Sequence, residues 1–205
     1  MTTMVLPFEQ LNLRRNPFGE FSEQERAELA VVDVDGVAER LSHSRTAVQF
    51  VGEKGFGKTT HLLALRLRFS ESAYVHIPEG ERLTTVPTGS PLMIDEAQRL
   101  TFSQRRTVFR YDRPLVLGTH TNFHRALERA GRHVETIHVG DGTSVDRLHR
   151  ILNDRIERVR RTAGSVPQVT PKTCRRMLQR HGPDVRGIMS DLYDQFQRLM
   201  EICDV

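Results

Sequence analysis

Between residues 47 and 139 the apolar positions gather into five short blocks: "AVQFV" (47–51), "AYVHI" (73–77), "PLMID" (91–95), "RPLVLGT" (113–119) and "VETIHV" (134–139). Most are nearly continuous rather than alternating, as expected of parallel strands covered on both faces. Stretches with helical spacing, "THLLALRLRF" and "NFHRALERA", fall between several of them, so the order predicts an α/β layered domain. Past residue 142 the pattern becomes helical only. Val145, Leu148, Leu152, Ile156 and Val159 recur at steps of three and four, which leaves Arg147, Arg150, Arg155 and Arg158 largely on other faces. Gly164 and Pro167 end that helix. A second, "PKTCRRMLQRHG", has Thr170 as N-cap, Pro171 in the first turn and Gly182 as its stop. A third, from about Pro183, gathers Val185, Ile188, Met189, Leu192, Phe196 and Leu199 on one side.

Residues 1–21 carry no sustained period. Ser22 and Glu25 have the spacing of a capping box, and "VDVDGVAERL" reads as a further helix. The chain thus divides into a leader and helix packed on the core (1–46), an α/β core (47–142) and a small helical lid (143–205).

A length of 205 residues suits one domain with a small appendage. Thirty basic against 26 acidic side chains leave a formal charge of +4. That mild balance permits a nucleic-acid partner without requiring one. Cys174 and Cys203 form neither a metal-ligand spacing nor a disulfide framework, which points to a reducing, cytoplasmic setting. No apolar run approaches the roughly 20 residues that span a bilayer, and the N-terminus lacks a signal-peptide core, so no membrane partner is expected.

The candidate chemistry begins with "GEKGFGKTT". Gly52, Gly57, Lys58 and Thr59 satisfy G-x-x-x-x-G-K-[ST], with a strand before and an amphipathic helix after, the context this phosphate loop requires. Its glycines let successive N–H groups turn inward toward phosphate oxygens, and the positive end of the following helix adds to the attraction. The cradle runs from Gly52 through Glu53, Lys54, Gly55, Phe56 and Gly57 to Lys58, Thr59 and Thr60. Lys58 is expected on the β and γ phosphates of ATP and the Thr59 hydroxyl on a magnesium ion. Lys54 also fits a plain surface lysine.

Binding alone needs only that loop, but "PLMIDEAQ" ends an apolar strand in two adjacent carboxylates. Side chains of neighbouring strand residues point different ways, so the two can divide the work. Asp95 is the candidate magnesium carboxylate and Glu96 the group that orients and polarises an attacking water. Together they point to hydrolysis.

Over residues 47–200 the chain, with its phosphate loop and "DEAQ" motif, resembles the AAA+ ATPases, nearest in character to initiator, clamp-loader and transposition-helper types. The resemblance implies a five-stranded parallel sheet, with "RPLVLGT" lying between the acidic strand and the phosphate-loop strand, and a C-terminal helical lid. It implies a polar sensor of the γ phosphate at Thr119 or His120. It also implies a second sensor at Arg186, in "GPDVRGIMSDLYDQF", and an arginine finger serving a neighbouring subunit, with Arg132 the first choice and Arg129 the second. A homo-oligomer or a protein partner would then complete the site.

One departure concerns the connection "PEGERLTTVPTGS". It is about 13 residues long and has no helical period, whereas a parallel crossover takes a dozen residues or more and usually includes a helix. This shortening argues against a ring-shaped threading motor and leaves hydrolysis untouched. Three further features have two readings each. His120 and His124 stand at i, i+4 spacing, a metal-ligand spacing without an evident third ligand. "LRRNPF" and "LAVVD" could wall an adenine base or pack into the core. The arginines of 147–161 and 175–180 could track the phosphate backbone of a nucleic acid, while a solvated helix face interleaved with Asp146, Asp154 and Glu157 also explains the first group. The sequence therefore predicts an ATP hydrolase that drives a conformational or assembly switch; a non-hydrolysing, nucleotide-dependent regulatory or DNA-binding module is the alternative.

Overall fold

The computed structural model describes residues 7–140 and 143–205, arranged as two compact units. The first unit runs from Arg26 to residue 140; the second joins the N-terminal segment up to Glu25 with the chain from residue 143 onward.

Ser22 and Glu25 open α1 (Glu23–Glu28) with the expected capping box: the Ser22 hydroxyl accepts the Glu25 N–H at 3.2 Å and the Glu25 carboxylate accepts the Ser22 N–H at 2.9 Å. After α2 (Asp35–Arg40) comes β1 (Thr46–Val51), and α3 (Lys58–Arg66) follows the phosphate loop. The remaining elements of this unit are β2 (Ala73–His76), β3 (Leu92–Asp95), α4 (Phe102–Val108), β4 (Leu115–Thr119), α5 (His124–Arg129) and β5 (His133–His138). The strands form one sheet in the order β2-β3-β4-β1-β5, every pair parallel.

The side-chain period of two divides the apolar blocks between the two faces of that sheet. Val48 and Phe50 of β1, Met93 of β3 and Val116 of β4 pack with Val37 of α2, Leu41 at its C-terminal end, and Leu62 and Leu65 of α3. Ala47, Leu92, Ile94, Leu115 and Leu117 face the other way, onto Val108 and Phe109 at the end of α4 and Leu127 of α5. Burial of each leucine contributes about 1.5–3 kcal/mol, so this double coverage is what makes nearly continuous apolar runs necessary. Because all strands run in one direction, Gly52, Glu96 and His120 follow the carboxyl ends of β1, β3 and β4 at one edge of the sheet.

No helix joins β2 to β3. Arg113 secures this bare crossover by donating to the carbonyls of Pro87 at 3.2 Å and Gly89 at 2.9 Å.

In the second unit α6 (Val145–Arg158) packs on α7 (Pro171–His181), and α7 on α8 (Val185–Gln197). Ser144, Thr170 and Asp184 cap the three N-termini through side-chain oxygens. Leu148, Leu152 and Ile156 are buried as their spacing requires, as are Ile188, Leu192 and Phe196. Arg155 departs from the expected outward position. It is buried, donates to the carbonyls of Pro17 at 2.9 Å and Gly19 at 2.8 Å, and stacks on the Phe21 ring at 3.9 Å.

The expected leader, 1–46, is divided by the structure at Glu25. Its N-terminal part, from residue 7, packs on the C-terminal helices. Leu13 forms an antiparallel bridge with Arg160, the Asn12 side chain bonds Thr162 and the Ser165 carbonyl, and Phe18 meets Phe196 edge-on at 4.9 Å. Of the two readings of "LRRNPF", packing into a core is the one found: Phe18 is 6% exposed.

Candidate nucleotide site

Positive φ at Gly57 (94°) turns the chain from the loop into α3, a conformation open to glycine without strain. Lys58, the first residue of α3, is 4% exposed. Its ammonium donates to the carbonyls of Gly52 at 2.8 Å and Glu53 at 2.9 Å and lies 3.3 Å from Nε2 of His120. Burial lowers its pKa, against the opposing pull of the Glu96, Asp95 and Glu53 carboxylates. Within the loop Gly52, Gly55, Phe56, Gly57, Thr59 and Thr60 are half-buried, whereas the Glu53 and Lys54 side chains face solvent. Lys54 matches the plain surface reading.

Thr59 Oγ1 donates to Asp95 Oδ2 at 2.7 Å, so the hydroxyl and carboxylate proposed to share a metal converge on one point. Asp95 is fully buried, its Oδ1 accepts the Glu96 N–H at 3.1 Å, and Tyr74 and His76 of β2 approach Oδ2 at 3.3 Å each. Room for that carboxylate comes from β4, where a Cβ on Gly118 would stand 2.6 Å from Asp95 Oδ1. Thr59 and Asp95 present only oxygen donors, the set a hard divalent cation such as magnesium takes.

Glu96 follows β3 in the left-handed region, with φ of 64°. It accepts from Gln98 Nε2 at 2.7 Å and lies 3.3 Å from Arg99 Nη2 and 3.6 Å from His120 Nε2. His120 therefore stands between Lys58 and Glu96, and its own N–H donates to Gln98 Oε1 at 3.3 Å.

That geometry separates the two sensor candidates. The Thr119 hydroxyl is fully buried and closes its own turn, donating to the Thr121 carbonyl and accepting the Thr121 N–H, both at 3.0 Å. His120 alone of the pair faces the loop. The paired-histidine metal reading fails, because His124 begins α5 while His120 lies before it, so helical spacing does not bring them together. His124 instead contacts Thr136 at 3.0 Å and Glu128 at 3.4 Å, and no group of three or more metal-ligating His, Cys, Asp or Glu side chains occurs among the described residues.

Arg132 is corrected as well. Its guanidinium is 5% exposed and donates to four carbonyls, those of Phe109, Thr46, Arg113 and Tyr111, at 2.6–3.2 Å. Thr46 begins β1, so this staple sits a strand's length from the loop, ~20 Å at ~3.3 Å per residue. A side chain so committed cannot reach into a neighbouring subunit. Arg129, exposed at the last turn of α5, has no such commitment, and Arg186 is exposed in the first turn of α8.

Gln98, Tyr74 and His76 complete the surroundings of the carboxylates. Gln98 was legible as the last letter of "DEAQ"; His76 is placed by sheet register, opposite Asp95, which no local pattern announces.

No family model matches the sequence, and no curated protein matches it. Solved structures do. Cdc6p from Pyrobaculum aerophilum superposes with a TM-score of 0.54 at 14% identity, over 89% of this chain and 62% of that one. Two point mutants of RuvB from Thermotoga maritima give 0.53 at 18% identity and 0.51 at 15%, over 93% and 90% of this chain and 70% and 66% of theirs. The chain thus spans under two thirds of the length of Cdc6p. Both proteins are AAA+ P-loop ATPases. The chain has the AAA+ fold. Within this AAA+ sheet, β4 lies between the acidic strand β3 and the phosphate-loop strand β1, as the resemblance implied. Among the described residues, no helix is long and apolar enough to cross a membrane.

Proposed function

We propose that the chain binds ATP with magnesium, hydrolyses it, and uses turnover to drive a conformational or assembly switch. The observation that carries this reading is the 2.7 Å contact between Thr59 and Asp95 beside the buried Lys58 ammonium, at the carboxyl edge of the sheet. The loop N–H groups and Lys58 hold the triphosphate, with Lys58 exchanging its grip on the Gly52 and Glu53 carbonyls for phosphate oxygens. Thr59 and Asp95 hold the magnesium ion, which supplies charge neutralisation at the phosphates. Glu96 orients the attacking water and draws on its proton, and His120 reads the γ phosphate. Arg186 is the second sensor and Arg129 the finger offered to a neighbouring subunit, both on the strength of the family resemblance.

The test is ATP turnover by the parent and by Glu96→Gln. Removing a general base lowers turnover by about a hundredfold or more while ATP binding persists. A variant that turns over ATP at the parental rate would remove Glu96 from the chemistry. One observation favours the alternative of a nucleotide-dependent regulatory module: Gln98 and Arg99 already hold the Glu96 carboxylate. Tight ATP binding by the parent with no phosphate release, alone or with DNA, would decide for that module.

A further inference from the structure

The solvent side of α7 consists of Pro171, Lys172, Arg175, Arg176, Gln179 and Arg180. Four of the six are cations, and the helix contains no carboxylate. Lys172 stands three and four positions before Arg175 and Arg176, and Arg176 four before Arg180, so like charges repel along the ridge. Lys172 also occupies the first turn, where the helix dipole disfavours a cation. These arrangements are unfavourable for the isolated protein.

Among the described acids of α6 and α8, only Asp191 relieves them, and only at the C-terminal end of the ridge. Asp191 of α8 engages Arg180 at 2.9 Å and His181 at 2.8 Å. On α6, Asp154 faces Arg150 at 3.6 Å and Glu157 holds Arg160 at 2.7 Å. Among the described residues Lys172 and Arg175 form no ion pair, and Arg176 reaches only the Thr173 hydroxyl of its own helix, at 3.4 Å.

We propose that this ridge binds the phosphate backbone of duplex DNA. From Lys172 to Arg180 it is ~12 Å long at ~1.5 Å per residue, and a duplex offers one negative charge per ~1.7 Å of its axis. Three of the four cations are arginine, whose planar fork suits phosphate oxygens. The ridge carries no exposed aromatic side chain on which unpaired bases could stack, which favours duplex over single strands. It carries no aliphatic patch of the kind a protein interface core or a membrane surface requires. With no groove-reading element implied, binding is insensitive to sequence and steeply sensitive to salt. This proposal does not depend on ATP hydrolysis.

The test is fluorescence anisotropy of a labelled 20-base-pair duplex with the full chain, without nucleotide, across a range of salt concentrations. The parent binds, and Lys172→Ala/Arg175→Ala/Arg176→Ala weakens binding at low salt by about tenfold or more and reduces the slope of log affinity against log salt by about 2.7, at ~0.9 per phosphate contact. A control, Arg26→Ala/Arg82→Ala/Arg110→Ala, removes three exposed cations elsewhere and keeps the parental slope. Thermal melting checks folding; relief of repulsion leaves the α7 variant at least as stable as the parent. Absence of binding by the parent, equal losses in both triple variants, or an unchanged salt slope in the α7 variant would overturn the proposal. So would tighter binding to a 20-nucleotide single strand, polyglutamate or phosphatidylserine vesicles than to the duplex.

Discussion

The Thr59 hydroxyl donates to the Asp95 carboxylate at 2.7 Å, joining the first turn of α3 to the end of β3 across 36 positions of sequence. Asp95 can be there only because β4 contributes no side chain at residue 118, where an added Cβ would lie 2.6 Å from its Oδ1.

Gly118→Ala is therefore expected to displace the carboxylate from Thr59 without touching the phosphate loop. Overpacking of this kind costs about 1–3 kcal/mol. Its signature lies in metal dependence: magnesium should enhance ATP binding at least about tenfold less than in the parent, while metal-free binding persists. Isothermal titration with and without magnesium checks this. An identical enhancement in both proteins would mean that Asp95 is not the metal carboxylate.

Arg132 is expected to act on stability and not on a neighbour's chemistry. Burial pushes its pKa down to about 10, which still leaves it charged at neutral pH and able to serve four carbonyls. Arg132→Met strips all four of a donor, at about 3 kcal/mol or more, which for a chain of this size lowers the melting temperature by roughly 6–12 °C. A finger would behave otherwise, losing turnover in the assembled protein at an unchanged melting temperature; that result would restore the role set aside here.

Glu25 supplies a dependence on pH. The Ser22 N–H, and after it the Arg15 guanidinium, hold its pKa down to about 2 from an ordinary 4.5. Because the folded chain holds this proton less tightly than the unfolded chain, the stabilisation is complete above pH 4.5 and fades as pH falls toward 2. Glu25→Gln should melt below the parent at pH 6, and the gap should close across that window. A gap independent of pH would indicate that the capping box works without its charge.

Residues with local signatures were readable in advance. The central strands β1, β3 and β4 follow from apolar runs that two covered faces demand, the edge strands β2 and β5 from shorter, half-buried runs, and Gly57, Lys58, Thr59 and Asp95 from motifs tied to strand ends. Helix α4 was not read, although Thr101 and Gln104 form its capping box, because its seven residues bury only Val108 and show no apolar period. Arg132 and Arg155 were misplaced for a common reason. Nothing near either residue distinguishes an arginine that fastens buried carbonyls from one bathed in water, since the carbonyls belong to segments as far as 86 and 138 positions away. That the Thr119 hydroxyl closes its own turn at Thr121 was likewise not readable, because it depends on conformation and not on residue type.

The partnership of Leu13 with Arg160 and of Phe18 with Phe196 means that the helical unit is stitched from two segments far apart in the sequence. An expression fragment trimmed of its unpatterned first twenty-odd residues, a natural choice for anyone seeking a minimal nucleotide-binding piece, would leave Phe196 and Arg155 without their covering and fray the distal helices. Fragment design should therefore retain the amino-terminal strap wherever α6 to α8 are kept.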